Sequence, residues 1–421
     1  MRIFLGTNGL GRYGELLKEG LEANGCNVAL CDDRPHRTRT FILPDFCIHD
    51  LRSRLFTGID YSHKPLPRLV VKREFYSWLE QFDAFIFWFA DSLAPAHLDI
   101  PYLYAANKKV IFISAGDDMM YAPFEQLRKE WRGSLYLKQM SLEQHKCPID
   151  FSELVANWFT HFNTLARRMF TYRVFESFDF PLVLCSGCNA LARKPFYRFF
   201  YRIPYPELLL KGRNKALAEV VYPIQIRHYS SNPITKDTHR IEKIFRNHRL
   251  VRLVERGLLD LKIVSKIDHT DLFGELLKDD FIVDQLAAFG AMSWEASSLA
   301  TPAFSGPDYE GYQDPLRDII TIQVWNDEQL VDRIEHLGLN LYAATSLRKK
   351  VYHAAVGLTP KLQAKHFLDE VILGNECSSL HTQPWGSLFL DEAMNRLALN
   401  SEFLKIIDRG DLRTMMLDIV D

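Results

Sequence analysis

Several signals are missing from this sequence, and each absence excludes something. No apolar run is long enough to span a bilayer, and Arg2, followed directly by a core-like strand, argues against a signal peptide. Neither sign of charge is in excess. The 51 Lys and Arg residues face 53 Asp and Glu, a formal net charge of -2, so no global field calls for a nucleic-acid partner. Cysteine is sparse and odd in number, with seven scattered residues. Cys26, Cys31 and Cys185 lie in apolar contexts, as reduced, buried thiols of a cytoplasmic protein do. Cys185 and Cys188 form a lone C-x-x-C, with no second pair and no nearby histidine to complete a metal set. The D-x-D pattern, which would hold a divalent ion against a diphosphate, occurs nowhere, so neither a metal nor a resident cofactor is expected.

What is present is ordinary in bulk and patterned in detail. A chain of 421 residues, 47% hydrophobic and 25% charged, is a soluble globular protein too long for one core. In its first half "RIFLG", "NVALC", "DAFIFWF", "KKVIFIS" and "PLVLCS" read as buried parallel strands. Between the first two, "RYGELLKEGLEANG" reads as an amphipathic helix, with Leu17 and Leu21 on one face and Gly25 as its stop. The stretch 119–179 is aromatic-rich and helix-like. Pro204, Pro206 and Gly212 then interrupt the pattern and mark a linker.

The alternation restarts beyond it. "PIQIRHYS", "LDLKIVS", "FIVDQL", "AFSG" and "DIITIQVW" are expected strands, and residues 237–257 are expected to form one helix. "HTDLFGELLKDD", "AMSWEASSLA" and "DEQLVDRIEHLG" are expected helices. Two successive units of this kind predict an α/β protein with two doubly wound, Rossmann-like lobes facing a central cleft. The expected division is an N-terminal lobe over 1–210, a C-terminal lobe over 211–375, and a helical tail over 376–421 packing back on the first lobe.

Two places carry candidate chemistry. After the first strand, Gly9, Gly11 and Gly14 spell G-x-G-x-x-G, and Asp32, eighteen residues beyond Gly14, ends the second strand beside Asp33. That is the local fingerprint of a dinucleotide fold. In the fingerprint, however, the first glycine ends the strand, whereas Gly6-Thr-Asn intervene here before Gly9. In the second half, a strand ends at Asp284 and Gln285, a loop passes Gly290, and a helix opens near Ala291 and Met292. The free amides at that helix start suit a diphosphate, and Glu295, one turn in, reaches a ribose. Asp284 is placed either on a sugar hydroxyl or as a structural cap. Lys236, between a strand and a helix start, is placed on phosphate. His228 and His161 read as packing or surface histidines.

This second segment resembles the donor-site stretch of two-lobed nucleotide-sugar glycosyltransferases of the GT-B architecture, family 4 in particular. Glu295-Ala296 followed by Ala300-Thr301-Pro302 matches that family's "E-A-x-x-x-x-x-P". "RHYSSNPITKDT", with Lys236, resembles its basic loop, and "VWNDEQLVDRIEHL" its later helix. The stretch beginning "AFIFWFADSLAPAHLDIPYLYAANKK" resembles its acceptor lobe. The resemblance spans roughly residues 1 to 340.

It implies transfer of a sugar from a nucleotide-diphosphate donor to a glycan, lipid or protein acceptor, with retention. Gly9, Gly11, Lys236, Asp284, Gln285, Gly290, Ala291, Met292 and Glu295 would bind the donor. Lys236 and the acceptor-side Asp118 would serve catalysis. Three positions depart from the family: Ala287 stands for its first glutamate, Pro233 for its arginine, and Ala115 for its histidine. A non-catalytic GT-B scaffold is the alternative, with an NAD-dependent dehydrogenase or a sugar-nucleotide epimerase behind it. Residues 193–215 carry seven basic residues, one acid and six aromatics, which suits either a peripheral contact with an anionic membrane or a basic, partly buried end of the first lobe.

Overall fold

The computed structural model describes residues 1–6, 13–32, 44–63, 66–88, 91–114, 151–160, 164–184, 196–198, 206–230, 233, 236–265, 267–284, 286, 291–306, 321–374, 380–381 and 412–420. The chain forms two compact units. One comprises residues 1–124, 140–201 and 360–421, the other residues 125–139 and 202–359.

The first unit is built on β1 (Arg2–Gly6), α1 (Tyr13–Glu22), β2 (Asn27–Asp32), β3 (Phe46–Cys47) and α2 (Ile48–Leu55). A small antiparallel ribbon, β4 (Phe56–Asp60) and β5 (Arg68–Val71), and α3 (Arg73–Leu79) follow. Then come β6 (Ala84–Trp88), α4 (Ile100–Ala105), β7 (Lys109–Ser114), α5 (Phe151–Ala156), α6 (Leu165–Ser177), β8 (Leu182–Leu184) and β9 (Phe196–Arg198). The sheet runs β9-β8-β7-β6-β1-β2-β3, all parallel, with the short strand Leu380–His381 antiparallel beside β9.

Its central strands β1, β6 and β7 are largely apolar and buried, as in a sheet covered on both faces. All five residues of β6 are buried, and aromatic rings fill the layer beside it. Phe4 meets Trp78 edge-on at 5.2 Å, and Phe112 stacks on Phe175 at 3.6 Å. Gly6 closes β1 at φ +136°, and a Cβ there would run into the Cys31 carbonyl, so only glycine fits. Cys31 is buried as expected, whereas Cys26 is only half-buried; Cys185 lies outside the described residues.

The second unit contains α7 (Pro206–Leu217), β10 (Ile224–Ser230), α8 (Thr238–Phe245), α9 (His248–Glu255), β11 (Leu259–Ser265), α10 (His269–Leu276) and β12 (Phe281–Val283). It continues through α11 (Ala291–Ser298), β13 (Ala303–Ser305), β14 (Thr321–Gln323), α12 (Asp327–Leu339) and α13 (Leu341–Val356). Its parallel sheet is ordered β11-β10-β12-β13-β14. Ile226, Phe281, Val283, Phe304, Leu330 and Ile334 belong to its core.

The single helix expected over 237–257 is two helices. Asn247 takes an extended conformation between them, and its side chain accepts from the Arg249 N–H at 2.9 Å, capping α9. The chain then returns to the first unit through α14 (Pro360–His366) and α15 (Leu412–Leu417). The longer stretch of the second unit thus runs over 202–359. Gly20 of α1 lets the Pro360 backbone approach closely, and Asn24 donates to the Lys361 carbonyl at 2.8 Å, which ties α14 to α1.

Candidate functional site

In open parallel sheets ligands gather outside the carboxyl ends of the strands, where the strand order reverses. In the second unit the chain steps from β10 outward to β11, then returns to the other side of β10 at β12. The reversal therefore lies between β10 and β12, and five polar side chains meet at that end. Ser230 ends β10, Lys236 and Thr238 lead into α8, Asp284 follows β12, and Ser293 sits in the first turn of α11.

Lys236 Nζ donates to Asp284 Oδ1 at 2.7 Å, and Ser293 Oγ donates to Asp284 Oδ2 at 2.7 Å. The Asp284 side chain is fully buried and that of Lys236 is 14% exposed. Lys236, read from the sequence as a phosphate contact, and Asp284, read as either a sugar contact or a structural cap, are thus held on one another. The carboxylate fixes the ammonium, and only one of the three ammonium donors is used in doing so.

Beside this pair a directed chain of hydrogen bonds crosses the strand ends. The His228 ring lies 2.8 Å from the Val283 carbonyl through Nδ1 and 3.0 Å from Thr238 Oγ1 through Nε2. A carbonyl only accepts, so Nδ1 carries the proton and Nε2 accepts from the Thr238 hydroxyl. Ser230 Oγ, 2.7 Å from Thr238 Oγ1, then donates to it. Burial draws the His228 pKa down to about 4; the Lys236 charge adds to the fall, while the Val283 carbonyl and Asp284 oppose it. His228 is the packing histidine read from the sequence: neutral, buried, and a spacer between two strands and a helix start.

Glu295 lies in α11 and is 9% exposed, which excludes a solvated first-turn glutamate. The whole of α11 from Ser293 onward is buried, and Pro302 leads from it into β13. The backbones of Ala291 and Met292 form its first turn. Gly9, Gly11, Asp118, Gln285 and Gly290 lie outside the described residues, as do Ala115, Ala287 and His161. Among the described residues no group of three His, Cys, Asp or Glu side chains is gathered as a metal set, and no helix is long and apolar enough to cross a membrane.

In the first unit the order reverses between β1 and β6. The loop after β6 carries a cluster that the sequence did not announce. Asp99 accepts from Ser92 Oγ at 2.6 Å, Ala94 N at 3.0 Å and Leu93 N at 3.1 Å. His97 bridges Ser92 Oγ and Thr171 Oγ1 at 3.1 and 3.0 Å. Ala96 and His97 both have positive φ, 52° and 56°, a strained pair that the Asp99 bonds hold in place. Burial raises the Asp99 pKa to about 6 and pushes that of His97 well below its ordinary value. All three side chains are fully enclosed, so this cluster shapes the loop and offers nothing to a ligand.

No protein-family profile and no curated protein matches the sequence. Several solved structures are similar to it over most of its length at low identity. A sucrose-phosphate synthase from Thermosynechococcus elongatus is 13% identical, covering 89% of this chain and 100% of its own, with a TM-score of 0.40. Anabaena HepE in complex with UDP-glucose is 8% identical over 88% of this chain and 100% of its own, TM-score 0.41. A glycosyltransferase from Rickettsia africae is 14% identical over 89% and 99%, TM-score 0.42. With TM-scores this low, none of these likenesses bears on what the present chain binds.

Proposed function

We propose that the protein is a GT-B nucleotide-sugar glycosyltransferase whose donor diphosphate sits on the second unit, at the reversal between β10 and β12. The observation that carries this reading is the Lys236–Asp284–Ser293 set, an ammonium fixed beside the opening of a buried helix at that reversal. Two Lys236 donors remain for phosphate oxygens, and charge-assisted bonds of this kind are the strong ones. The first-turn amides of α11, with Gly290 before them, supply further donors, because a helix start leaves its N–H groups unpaired. Glu295 takes the ribose hydroxyls. As the bond to the anomeric carbon breaks, negative charge grows on the leaving diphosphate, and donors already in place stabilise it without reorganising. Asp284 and Ser293 are positioning residues in this scheme.

The resemblance adds Gly9, Gly11 and Gln285 to the donor contacts, Asp118 on the acceptor side, and retention of configuration. A non-catalytic binding protein is the second reading, favoured by Ala287 in place of the family's first glutamate.

A thermal-shift series tests the proposal with UDP, GDP, their 2′-deoxy forms, uridine, NAD and NADP. A nucleoside diphosphate at about a hundred times its Kd stabilises the native protein by about 2.7 kcal/mol. UDP or GDP is expected to raise the Tm, the deoxy form less, and NAD not at all. Stabilisation by NAD alone would restore the dehydrogenase. Binding without release of sugar from any sugar nucleotide would favour the non-catalytic reading.

A further inference from the structure

The second unit carries an unusual surface away from the β10–β12 reversal. Leu210 and Leu217 of α7, Val221 just beyond it, and Tyr342 of α13 are 74%, 67%, 68% and 84% exposed. Single exposed apolar side chains are ordinary, but these four belong to one surface. α7 and α13 lie side by side and antiparallel. The Tyr352 hydroxyl donates to the Leu209 carbonyl at 2.7 Å near one end of the contact, and Val220 N donates to Thr345 Oγ1 at 3.0 Å near the other. The buried stripe of α7 is Leu208, Gly212 and Ala216, so Leu210, Arg213 and Leu217 turn outward. The exposed residues of α13 next to the contact line are Tyr342, Lys349, His353 and Val356, at helical spacing from Thr345 and Tyr352. Arg213 lies close enough to act on the Tyr352 phenol, which places it between the two rows.

The charge on this face is mainly positive. α13 contains no acid and carries Arg348, Lys349 and Lys350, of which the two lysines are exposed. α7 adds Lys211 and Arg213 on its exposed side, against the half-buried Glu207 of its first turn, and the exposed Glu219 follows between Leu217 and Val221. In sequence, residues 193–205 before α7 continue the composition, with four basic residues, six aromatics and no acid.

We propose that the outward faces of α7 and α13 form a docking surface for an anionic lipid bilayer. Leu210, Leu217, Val221 and Tyr342 would enter the interfacial region while Arg213 and Lys349 meet the lipid phosphates. Aliphatic and tyrosine side chains interleaved with cations suit that interface, where apolar burial and charge attraction act together. This surface is independent of the nucleotide site and stands whether or not the protein transfers sugar.

Co-sedimentation of the full chain with vesicles tests it, comparing pure phosphatidylcholine with phosphatidylcholine containing phosphatidylglycerol. Binding is expected to the anionic vesicles only and to fall at high salt. Arg213→Glu with Lys349→Glu, and separately Leu217→Glu with Tyr342→Glu, should each weaken it by roughly ten-fold or more, since each cation near the surface is worth about 1 kcal/mol. Tyr76→Glu, an exposed aromatic of the first unit, serves as control and should bind as wild type. All five positions are exposed, so circular dichroism should show every variant folded. Absence of binding to anionic vesicles, or binding by both double variants as strong as that of wild type, overturns the proposal. A wild-type dimer that the double variants convert to monomers, without vesicle binding, assigns the face to a second copy instead.

Discussion

His228 is enclosed between the Val283 carbonyl and the Thr238 hydroxyl, and its proton affinity makes stability depend on pH. Its pKa falls from 6.5 to about 4, burial being the largest cause. Below pH 6.5 the unfolded chain takes up a proton that the folded one refuses until about pH 4. The contribution is therefore whole above 6.5 and lost as pH falls through that window. Near pH 5 the loss is about 2 kcal/mol, at roughly 1.4 kcal/mol per pH unit. Asp99 and Asp279 act in the opposite sense. Burial raises both to about 6, so their contribution is present below the ordinary value of 3.8 and lost as pH rises through 6. A comparison of variants removes this background. His228→Asn keeps an N–H for the Val283 carbonyl and does not titrate. Between about pH 7 and about pH 5, urea unfolding should show wild type losing about 2 kcal/mol more than His228→Asn; equal losses would mean that the folded imidazole is already charged. At this scale the sequence disclosed positions but not partners. Lys236 and Asp284 each stood out by standing at a strand end, yet 48 residues separate them, and no spacing rule announces that they pair. The Ser92–His97–Asp99 cluster was silent because its strained turn uses no glycine.

Helices in the second unit are placed by close backbone approach, and two glycines show it with opposite signs. Gly212 lies where α7 crosses α11, and an added Cβ would strike the Ser298 carbonyl and the Leu299 backbone. Gly274, inside α10, has open space around it. Gly274→Ala should stabilise by up to about 1 kcal/mol, the helix-propensity difference. Gly212→Ala gains the same propensity but must push α7 outward, and overpacking typically costs about 1–3 kcal/mol. Urea midpoints should therefore move up for Gly274→Ala and down for Gly212→Ala. A rise in both would show that α7 is not seated on α11. Element type was largely legible, since fully buried parallel strands write themselves as apolar runs such as "AFIFW" and "KVIFIS". The failures were interruptions. Residues 237–257 keep a helical apolar period across Asn247, whose cap breaks the helix without disturbing the pattern. Gly212 looked like a linker glycine because a close crossing cannot be seen from one strand of sequence.

At the scale of the whole molecule, the second unit has the form of an insertion into the first. The chain enters it at α7 and leaves it after α13, and these two helices are bonded to each other through Tyr352 and Leu209. Neighbouring ends are what allow a domain to fold without the chain around it. Its charged anchors are also internal. Lys215 of α7 donates to the Leu276 carbonyl at 2.8 Å, to the Asp279 carbonyl and to Thr301 Oγ1, and Arg348 of α13 pairs with Asp280. Burial, with the Arg348 charge behind it, draws the Lys215 pKa down to about 7, while Asp280 and Asp279 pull it back. Three acceptors require three donors, and only the ammonium has three, so the charged form fits this geometry. None of these bonds needs a residue outside 202–359. The fragment 202–359, expressed alone, should unfold cooperatively in urea and keep the Lys236–Asp284 pair. Breaking a buried pair by removing one partner costs about 3–5 kcal/mol, so Lys236→Ala in the fragment should lower its stability by that order. The same fragment should still gain stability from a nucleoside diphosphate and none from NAD, because Lys236, the first turn of α11 and Glu295 all lie within it, although Gly9 and Gly11 do not. A fragment without a cooperative transition would mean that the residues at 125–139 or the first unit complete its core. A folded fragment that no nucleotide stabilises would move the donor contacts elsewhere in the chain.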